Sequence, residues 1–147
     1  MRILRTKEAI PMELFLLADP AEDSVLGYLH NSLVYVAKMG EEVVGGYILQ
    51  ATGHDLYELK NIAVAVPAQN KGIGTKLLNH MIEVVKELEG KHIEVGTGTF
   101  GYQLTFYQRA GFRVDRVDKD FFLLNYPDAV FENGIQHKDM LRLSLKL

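Results

Sequence analysis

The distribution of apolar and polar residues along the chain predicts short strands interrupted by helices. The clearest helix begins at Ile73, where apolar residues recur at helical spacing up to Leu88 and charged residues occupy the other side. The run from Leu56 to Val66 becomes continuously apolar towards its end, which is typical of a strand buried on both faces. The remaining predicted strands are residues 2–5, 33–39, 43–51, 92–97, 112–118 and 139–145, and the remaining helices are 10–17, 21–32 and 102–110.

Turn residues separate these segments. A Gly40–Glu42 turn is expected to join two antiparallel strands, Pro67 to end the long strand, and Gly90 and Gly111 to end helices. The resulting order is strand, helix, helix, three strands, helix, strand, helix and two strands, which is neither a repeated βαβ pattern nor a sandwich. We therefore predict an α/β fold with a mixed, mostly antiparallel central sheet and helices on both faces.

Composition narrows the class of protein. The chain has 147 residues with no linker, so residues 1–147 are expected to form a single domain. The absence of cysteine excludes disulfides, thiolate metal sites and a cysteine nucleophile. The net charge is −3 and the basic residues are scattered, which argues against a nucleic-acid partner. No apolar stretch approaches the roughly 20 residues needed to span a bilayer, so we expect a cytoplasmic protein without a membrane partner.

The most informative segment, Gln-Asn-Lys-Gly-Ile-Gly-Thr over residues 69–75, lies between the buried strand and the clearest helix. Gly72 and Gly74 have no Cβ, so the main chain there can approach a ligand closely. The free N–H groups and the positive end of the helix favour an anion, and Lys71 adds a positive charge. The segment is therefore predicted to bind a pyrophosphate.

Other phosphate-binding loops require a different spacing of glycines. The chain has no Gly-x-x-x-x-Gly-Lys-Ser/Thr sequence, so the segment is not the phosphate-binding loop of the usual nucleoside triphosphatases. The segment does not fully match a dinucleotide-binding fold, because Leu77 stands where a third glycine or alanine is needed. Glu94, about twenty residues further on, would suit the ribose of such a ligand. A plain connection whose glycines serve packing is the remaining alternative.

The chain resembles the GNAT family, the acetyl-CoA-dependent N-acetyltransferases. The family signature Gln/Arg-x-x-Gly-x-Gly/Ala is matched by Gln69, Gly72 and Gly74. Residues 106–112 (Phe-Tyr-Gln-Arg-Ala-Gly-Phe) are similar to a second signature, an aromatic-Tyr helix end followed by Gly-Phe. The order of elements also matches, so the resemblance covers nearly the whole chain.

The resemblance implies a binding site for acetyl-CoA and no metal. The amides of residues 71–75 would hold the pyrophosphate, and the main chain of residues 62–64, on a strand that is splayed open in the family, would pair with the pantetheine arm. The implied residues are Ile62, Ala63, Val64, Gln69, Asn70, Lys71, Gly72, Ile73, Gly74 and Thr75. Residues 62–64 equally suit an ordinary core strand, and Lys71 a solvated loop.

Two residues are the candidates for catalysis. Tyr107 matches the usual general acid of the family, and a phenol with a pKa of about 10 stays protonated at neutral pH. Glu58 lies eleven residues before Gln69, where the histone-acetyltransferase branch carries its catalytic glutamate, and would accept the proton of the incoming amine. The alternatives are a tyrosine packed on the sheet and a Glu58–Lys60 ion pair, with His54 or Asp55 of the preceding loop as the base. Strand alternation places Glu58, Lys60 and Ile62 on one face unless a bulge intervenes.

Position 100 departs from the family pattern. Many members carry an asparagine seven residues before the tyrosine, and this chain has Phe100. Thr97, Thr99 and Gln103 are the candidate replacements for its contact to pantetheine. A long aromatic-rich link, residues 119–138, is expected to roof an acceptor site, to contact another subunit or to fold onto its own core.

The predicted function is direct transfer of an acetyl group from acetyl-CoA to a primary amine of a small molecule. Acetylation of protein lysines or N-termini is the first alternative, and a non-catalytic acyl-CoA-binding module is the second. The resemblance also implies a homodimer, to which the strand at 139–145 would contribute.

Overall fold

A computed structural model describes residues 1–147 as nine strands and five helices. The strands are β1 (Arg2–Thr6), β2 (Ser32–Met39), β3 (Glu42–Gly53), β4 (Leu56–Val64), β5 (His92–Gly98), β6 (Arg113–Asp118), β7 (Phe131–Glu132), β8 (Ile135–Gln136) and β9 (Met140–Lys146). The helices are α1 (Met12–Phe15), α2 (Glu22–Leu29), α3 (Ile73–Glu87), α4 (Tyr102–Arg109) and α5 (Phe121–Asn125). None of them is long and apolar enough to cross a lipid bilayer.

Seven strands form one sheet in the order β1-β2-β3-β4-β5-β9-β6. Every neighbouring pair is antiparallel except β4 and β5, which are parallel. The predicted α/β fold with a mixed, mostly antiparallel sheet is therefore confirmed. The last strand, β9, lies inside the sheet, so its main chain is paired on both sides and it offers no free edge to a partner.

Two apolar clusters cover the two faces of the sheet. Helix α3 buries Leu77, Leu78 and Met81 in the larger cluster, which also contains Tyr107 of α4. Burial of each such side chain contributes roughly 1.5–3 kcal/mol. The smaller cluster joins α1 and α2 to the opposite face, with Phe15 at its centre. The helices thus lie on both faces, as the sequence predicted.

A β-bulge interrupts the pairing of β3 with β4. Leu59 pairs with Leu49 and Asn61 with Ile48, so Lys60 is the extra residue. Asn61 consequently faces α1, where its side-chain amide donates to the carbonyl oxygen of Phe15. Ile62 packs instead against the cluster on the α3 face. Strand alternation was expected to place Ile62 on one face with Glu58 and Lys60 unless a bulge intervened; the bulge is present and turns Ile62 to the other face.

The link at residues 119–138 contains structure that the sequence analysis did not predict. It forms α5 and a small hairpin of β7 with β8. The Tyr126 hydroxyl donates to Asp19 in the α1–α2 connection at 3.0 Å, so the link is attached to the first two helices. Of the three expectations for this link, folding onto its own domain fits this contact.

Candidate active site

Strands β4 and β5 separate part of the way along their length. Their pairing runs from Leu56 with His92 to Leu59 with Val95 and stops there, although β4 continues to Val64 and β5 to Gly98. The main-chain groups of the last residues of β4 therefore have no strand partner on this side. A strand edge of this kind can pair with an extended ligand.

A cleft of about 300 Å³ extends from this gap to the start of α3. Its wall combines the end of β4, the loop before α3 and the inner side of α4. The lining residues are Leu17, Ala18, Ile62, Ala63, Val64, Ala68, Gln69, Asn70, Gly72, Ile73, Gly74, Tyr102, Gln103, Phe106 and Tyr107. The predicted ligand-binding residues thus converge on one cleft, except for Lys71 and Thr75, which are exposed and do not line it.

The loop before α3 contains left-handed backbone conformations. Asn70 and Gly72 both have left-handed backbone conformations, with φ of 64° and 81°. Alternation of this kind creates a concave set of N–H groups that binds anions. Gly72 also precedes the first turn of α3 without a side-chain cap, so the first N–H groups of that helix are free for a ligand.

Tyr107 projects from α4 into the cleft and is only 5% exposed. Its ring packs edge-on against Phe112, with 5.9 Å between centroids, so it also belongs to the core. Burial raises the pKa of the Tyr107 hydroxyl well above its ordinary value of 10.0. The side chain is therefore a neutral hydrogen-bond donor at physiological pH.

Glu58 lies on the sheet face opposite α3 and does not line the cleft. Its Oε2 atom is 3.2 Å from Nζ of Lys60 and 3.1 Å from Nη1 of Arg142. The ion pair with Lys60 that the sequence suggested is therefore present. The sequence analysis did not identify Arg142 as a partner of Glu58. The alternation of β9 places Arg142 on a polar face, but the sequence does not reveal that β9 lies beside β5.

Phe100 does not reach the cleft. Its ring stacks on His137, with 4.2 Å between centroids, and the Nε2 atom of His137 lies 2.9 Å from Oε1 of Glu132. Among the three proposed substitutes for the family asparagine, Gln103 lines the cleft and Thr97 and Thr99 do not. No three or more His, Asp or Glu side chains are grouped so that they could share a metal ion.

Comparisons with known proteins agree with this geometry. Residues 30–114 match a family model described as the acetyltransferase (GNAT) domain. The chain is 46% identical to the uncharacterized N-acetyltransferase YvbK of Bacillus subtilis over 136 residues, which are 92% of this chain and 88% of that protein.

Two solved structures are similar over almost the whole chain. The IAA acetyltransferase of Bacillus cereus is 46% identical, with a TM-score of 0.95 and 99% of each chain covered. A GNAT family acetyltransferase of Elizabethkingia anophelis, solved with acetyl-CoA bound, is 40% identical with a TM-score of 0.96, covering 99% of this chain and 97% of that one. The present chain therefore belongs to the GNAT family and is an N-acetyltransferase that uses acetyl-CoA as its acetyl donor.

Proposed function

We propose that the enzyme transfers the acetyl group directly to a primary amine of a small molecule, within one complex that holds both substrates. The observation that carries this proposal is the gap between β4 and β5. The cleft contains Tyr107 on one side of the sheet and reaches Leu17 and Ala18 of the α1–α2 connection on the other. An acyl group in the gap would be open to an acceptor arriving from the α1–α2 side.

Acetyl-CoA is held mainly by main-chain groups in this proposal. The amides of residues 71–75 and the start of α3 bind the pyrophosphate, and Gln69 and Asn70 shape the loop. Over Ile62, Ala63 and Val64, the main-chain groups that face away from β3 pair with the amides of pantetheine, apart from the Val64 carbonyl oxygen, which accepts from Gln69. Gln103 lines the same cleft and supplies the side-chain contact that Phe100 does not.

The proposed reaction uses groups on both sides of the gap between β4 and β5. Glu58 accepts a proton from the incoming ammonium group, so that a nitrogen lone pair is free to attack the thioester carbonyl. A main-chain N–H of β4 stabilises the oxyanion that forms. The C–S bond then breaks and the Tyr107 hydroxyl gives its proton to the departing thiolate. The second proton of the attacking nitrogen returns to the Tyr107 oxygen through solvent, and Glu58 releases its proton to water. The products are an acetamide and free CoA.

The attachment of residues 119–138 to the α1–α2 connection, the side from which the acceptor is proposed to arrive, favours a small molecule over a protein chain. The Tyr126 hydroxyl closes residues 119–138 onto Asp19, which also accepts hydrogen bonds from Ser24 and Tyr28. A segment fastened in this way is held beside the α1–α2 connection, whereas a polypeptide acceptor needs an open groove. Modification of protein amines remains the second candidate.

Initial-rate measurements of thiol release test the proposal. We expect small primary amines to be acetylated, peptides carrying lysine or a free N-terminus to react poorly, and double-reciprocal plots against both substrates to intersect. Parallel lines would contradict transfer within one complex. Faster reaction with peptides would contradict the small-molecule acceptor, and binding of acetyl-CoA without any transfer would indicate a binding module.

We also propose that the 147 residues act as one domain in a homodimer, as the family resemblance implies. The sheet leaves its β1 and β6 edges free for such a contact. Sedimentation velocity is expected to give twice the mass of one chain, and a single species of one chain's mass would contradict the dimer.

A further inference from the structure

A row of four charged side chains crosses the sheet on the face opposite α3. Lys60 lies 3.2 Å from Glu58, Glu58 lies 3.1 Å from Arg142, and Arg142 lies 3.6 Å from Asp118. The row starts on β4, passes over β5 to β9 and ends on β6. It contains two charges of each sign, so it is neutral as a set.

Gly96 of β5 makes room for this row beside the gap. It lies next to Arg142 across the β5–β9 pair and is the first residue of β5 beyond the pairing with β4. A Cβ at Gly96 would first meet the side chain of Met140 and would stand 3.2 Å from Nη1 of Arg142. The guanidinium therefore lies over β5 at the point where β4 and β5 separate, which is where the acyl group is proposed to lie.

Side chains of the row can still contact a ligand. Side chains of Glu58 and Arg142 are 14% and 15% exposed, so both can be reached from solvent. A guanidinium has five N–H donors in a planar fork, and the structure uses Nη1 on Glu58 and Nη2 on Asp118. The rings of Phe121, 5.5 Å from the Arg142 guanidinium, and Tyr28, 5.8 Å from Lys60, flank the row.

This arrangement is complementary to a ligand that carries both charges. Glu58 lies between the two cations of the row, with Asp118 beyond Arg142, and this central group matches a molecule whose amine and carboxylate are attached to one carbon atom. Glu58 would receive the ammonium group, and Arg142 with Lys60 would receive the carboxylate, for which the arginine fork is geometrically suited. A purely cationic amine would instead approach two positive side chains, and such like-charge contacts disfavour binding.

We propose that the acceptor is an α-amino carboxylate, that is, a free amino acid or a close analogue, bound across Glu58 and Arg142. This inference rests on the proposed transfer to a small-molecule amine and specifies its substrate class. Arg142 is then a specificity-determining residue for the acceptor, while acetyl-CoA binds without it.

The test compares acceptors that share a side chain and differ only in the carboxylate. Thiol release is measured with an amino acid, with its primary amide and with the amine that lacks the carboxylate, over several side chains. We expect kcat/KM to be about ten-fold or more higher for at least one amino acid than for its amide and amine, since an unpaired charged site rejects such analogues.

Variants of two arginines on the same sheet face complete the test. Arg142→Gln is expected to raise the KM for the amino acid selectively and to remove the preference over the amide, with the KM for acetyl-CoA unchanged. Arg116→Gln is the matched control, since Arg116 lies beside Arg142 on β6 but contacts Glu94, at 2.9 Å, instead of Glu58. Arg142→Lys keeps the charge without the fork and should give an intermediate preference if Arg142→Gln does not fold.

The outcomes separate this inference from the proposed function. A preference for the amide or the amine, or an equal effect of Arg142→Gln on all three acceptors, would overturn the inference and leave small-molecule acetylation intact. Failure to acetylate any of the three while other small amines react would do the same. Acetylation of peptides alone, or failure to bind acetyl-CoA, would contradict the proposed function itself.

Discussion

The side-chain amide of Gln69 donates a hydrogen bond to the main-chain carbonyl oxygen of Val64, 3.0 Å away. Val64 is the last residue of β4, beyond the point where β4 leaves β5. The bond therefore ties the loop before α3 to the free end of the strand. It couples the segment proposed to bind pyrophosphate to the one proposed to bind pantetheine.

Replacement Gln69→Glu is predicted to weaken acetyl-CoA binding about ten-fold or more, equivalent to roughly 1.4 kcal/mol. The carboxylate keeps the shape of the side chain but cannot donate to Val64, and it adds a negative charge near the phosphates. Calorimetric titration measures the change. Gln108→Glu is the control, because Gln108 makes a similar bond to Leu104 on an exposed side of α4. Equal weakening in both variants would contradict the role of Gln69.

Gly72→Ala and Gly40→Ala form a matched pair. Both glycines have left-handed conformations, with φ of 81° and 61°, and an added Cβ meets nothing within 4 Å at either position. Each substitution should cost roughly 1–2 kcal/mol of unfolding free energy because of the backbone conformation. Only Gly72 lines the cleft, so only Gly72→Ala is expected to weaken acetyl-CoA binding as well.

Chemical denaturation and titration of both variants check this prediction. Undiminished acetyl-CoA affinity in Gly72→Ala would place the cofactor's phosphates elsewhere. An equal loss of affinity in Gly40→Ala would mean that binding responds to general destabilisation.

Tyr107→Phe is predicted to lower kcat by about 10²–10⁴-fold, the usual contribution of a general acid. The dissociation constant for acetyl-CoA should change little, because the ring still fills the same space. Steady-state kinetics and titration measure the two quantities. Tyr57→Phe on β4, which lies outside the cleft, is expected to keep kcat. A normal kcat in Tyr107→Phe would assign protonation of the thiolate to another group.

The contact between His80 and Tyr47 predicts a pH dependence of stability. Nδ1 of His80 lies 2.8 Å from the Tyr47 hydroxyl, and burial lowers the pKa of His80 below its ordinary value of 6.5. The folded protein therefore favours the neutral ring, which accepts the hydroxyl proton. A histidine with a lowered pKa contributes stability above the pKa of the unfolded state, and this contribution is lost as the pH falls.

We expect the unfolding free energy to fall between about pH 7 and about pH 5, and to fall less in His80→Gln. Urea denaturation of both proteins at the two pH values gives the change in unfolding free energy for each. The contributions of the other titrating groups cancel when the two changes are subtracted. The same pH dependence in both proteins would show that His80 does not contribute to it.

Local signals predicted the parts of the site that the chain builds from consecutive residues. The helix that begins at Ile73 and the loop containing Gly72 and Gly74 are determined by residues close together in the sequence. The structure places both where the sequence predicted. Tyr107 was implied by the resemblance of residues 106–112 to a family signature, and its side chain lines the cleft.

Long-range contacts could not be predicted in this way. Arg142 and Glu58 are 84 residues apart, and their contact depends on β9 entering the sheet between β5 and β6. The bulge at Lys60 depends on the register of β3, which hydrophobic alternation does not report. Phe100 likewise has a partner, His137, that only the folded chain brings beside it.

Calorimetric titration of the unmodified protein with acetyl-CoA, with NADH as the control, tests most directly that the loop at residues 69–75 and the open end of β4 form a CoA site. We predict one site per chain with a micromolar dissociation constant and no heat with NADH. Absence of acetyl-CoA binding, or equal binding of NADH, would contradict the account and would return attention to a dinucleotide site with Glu94.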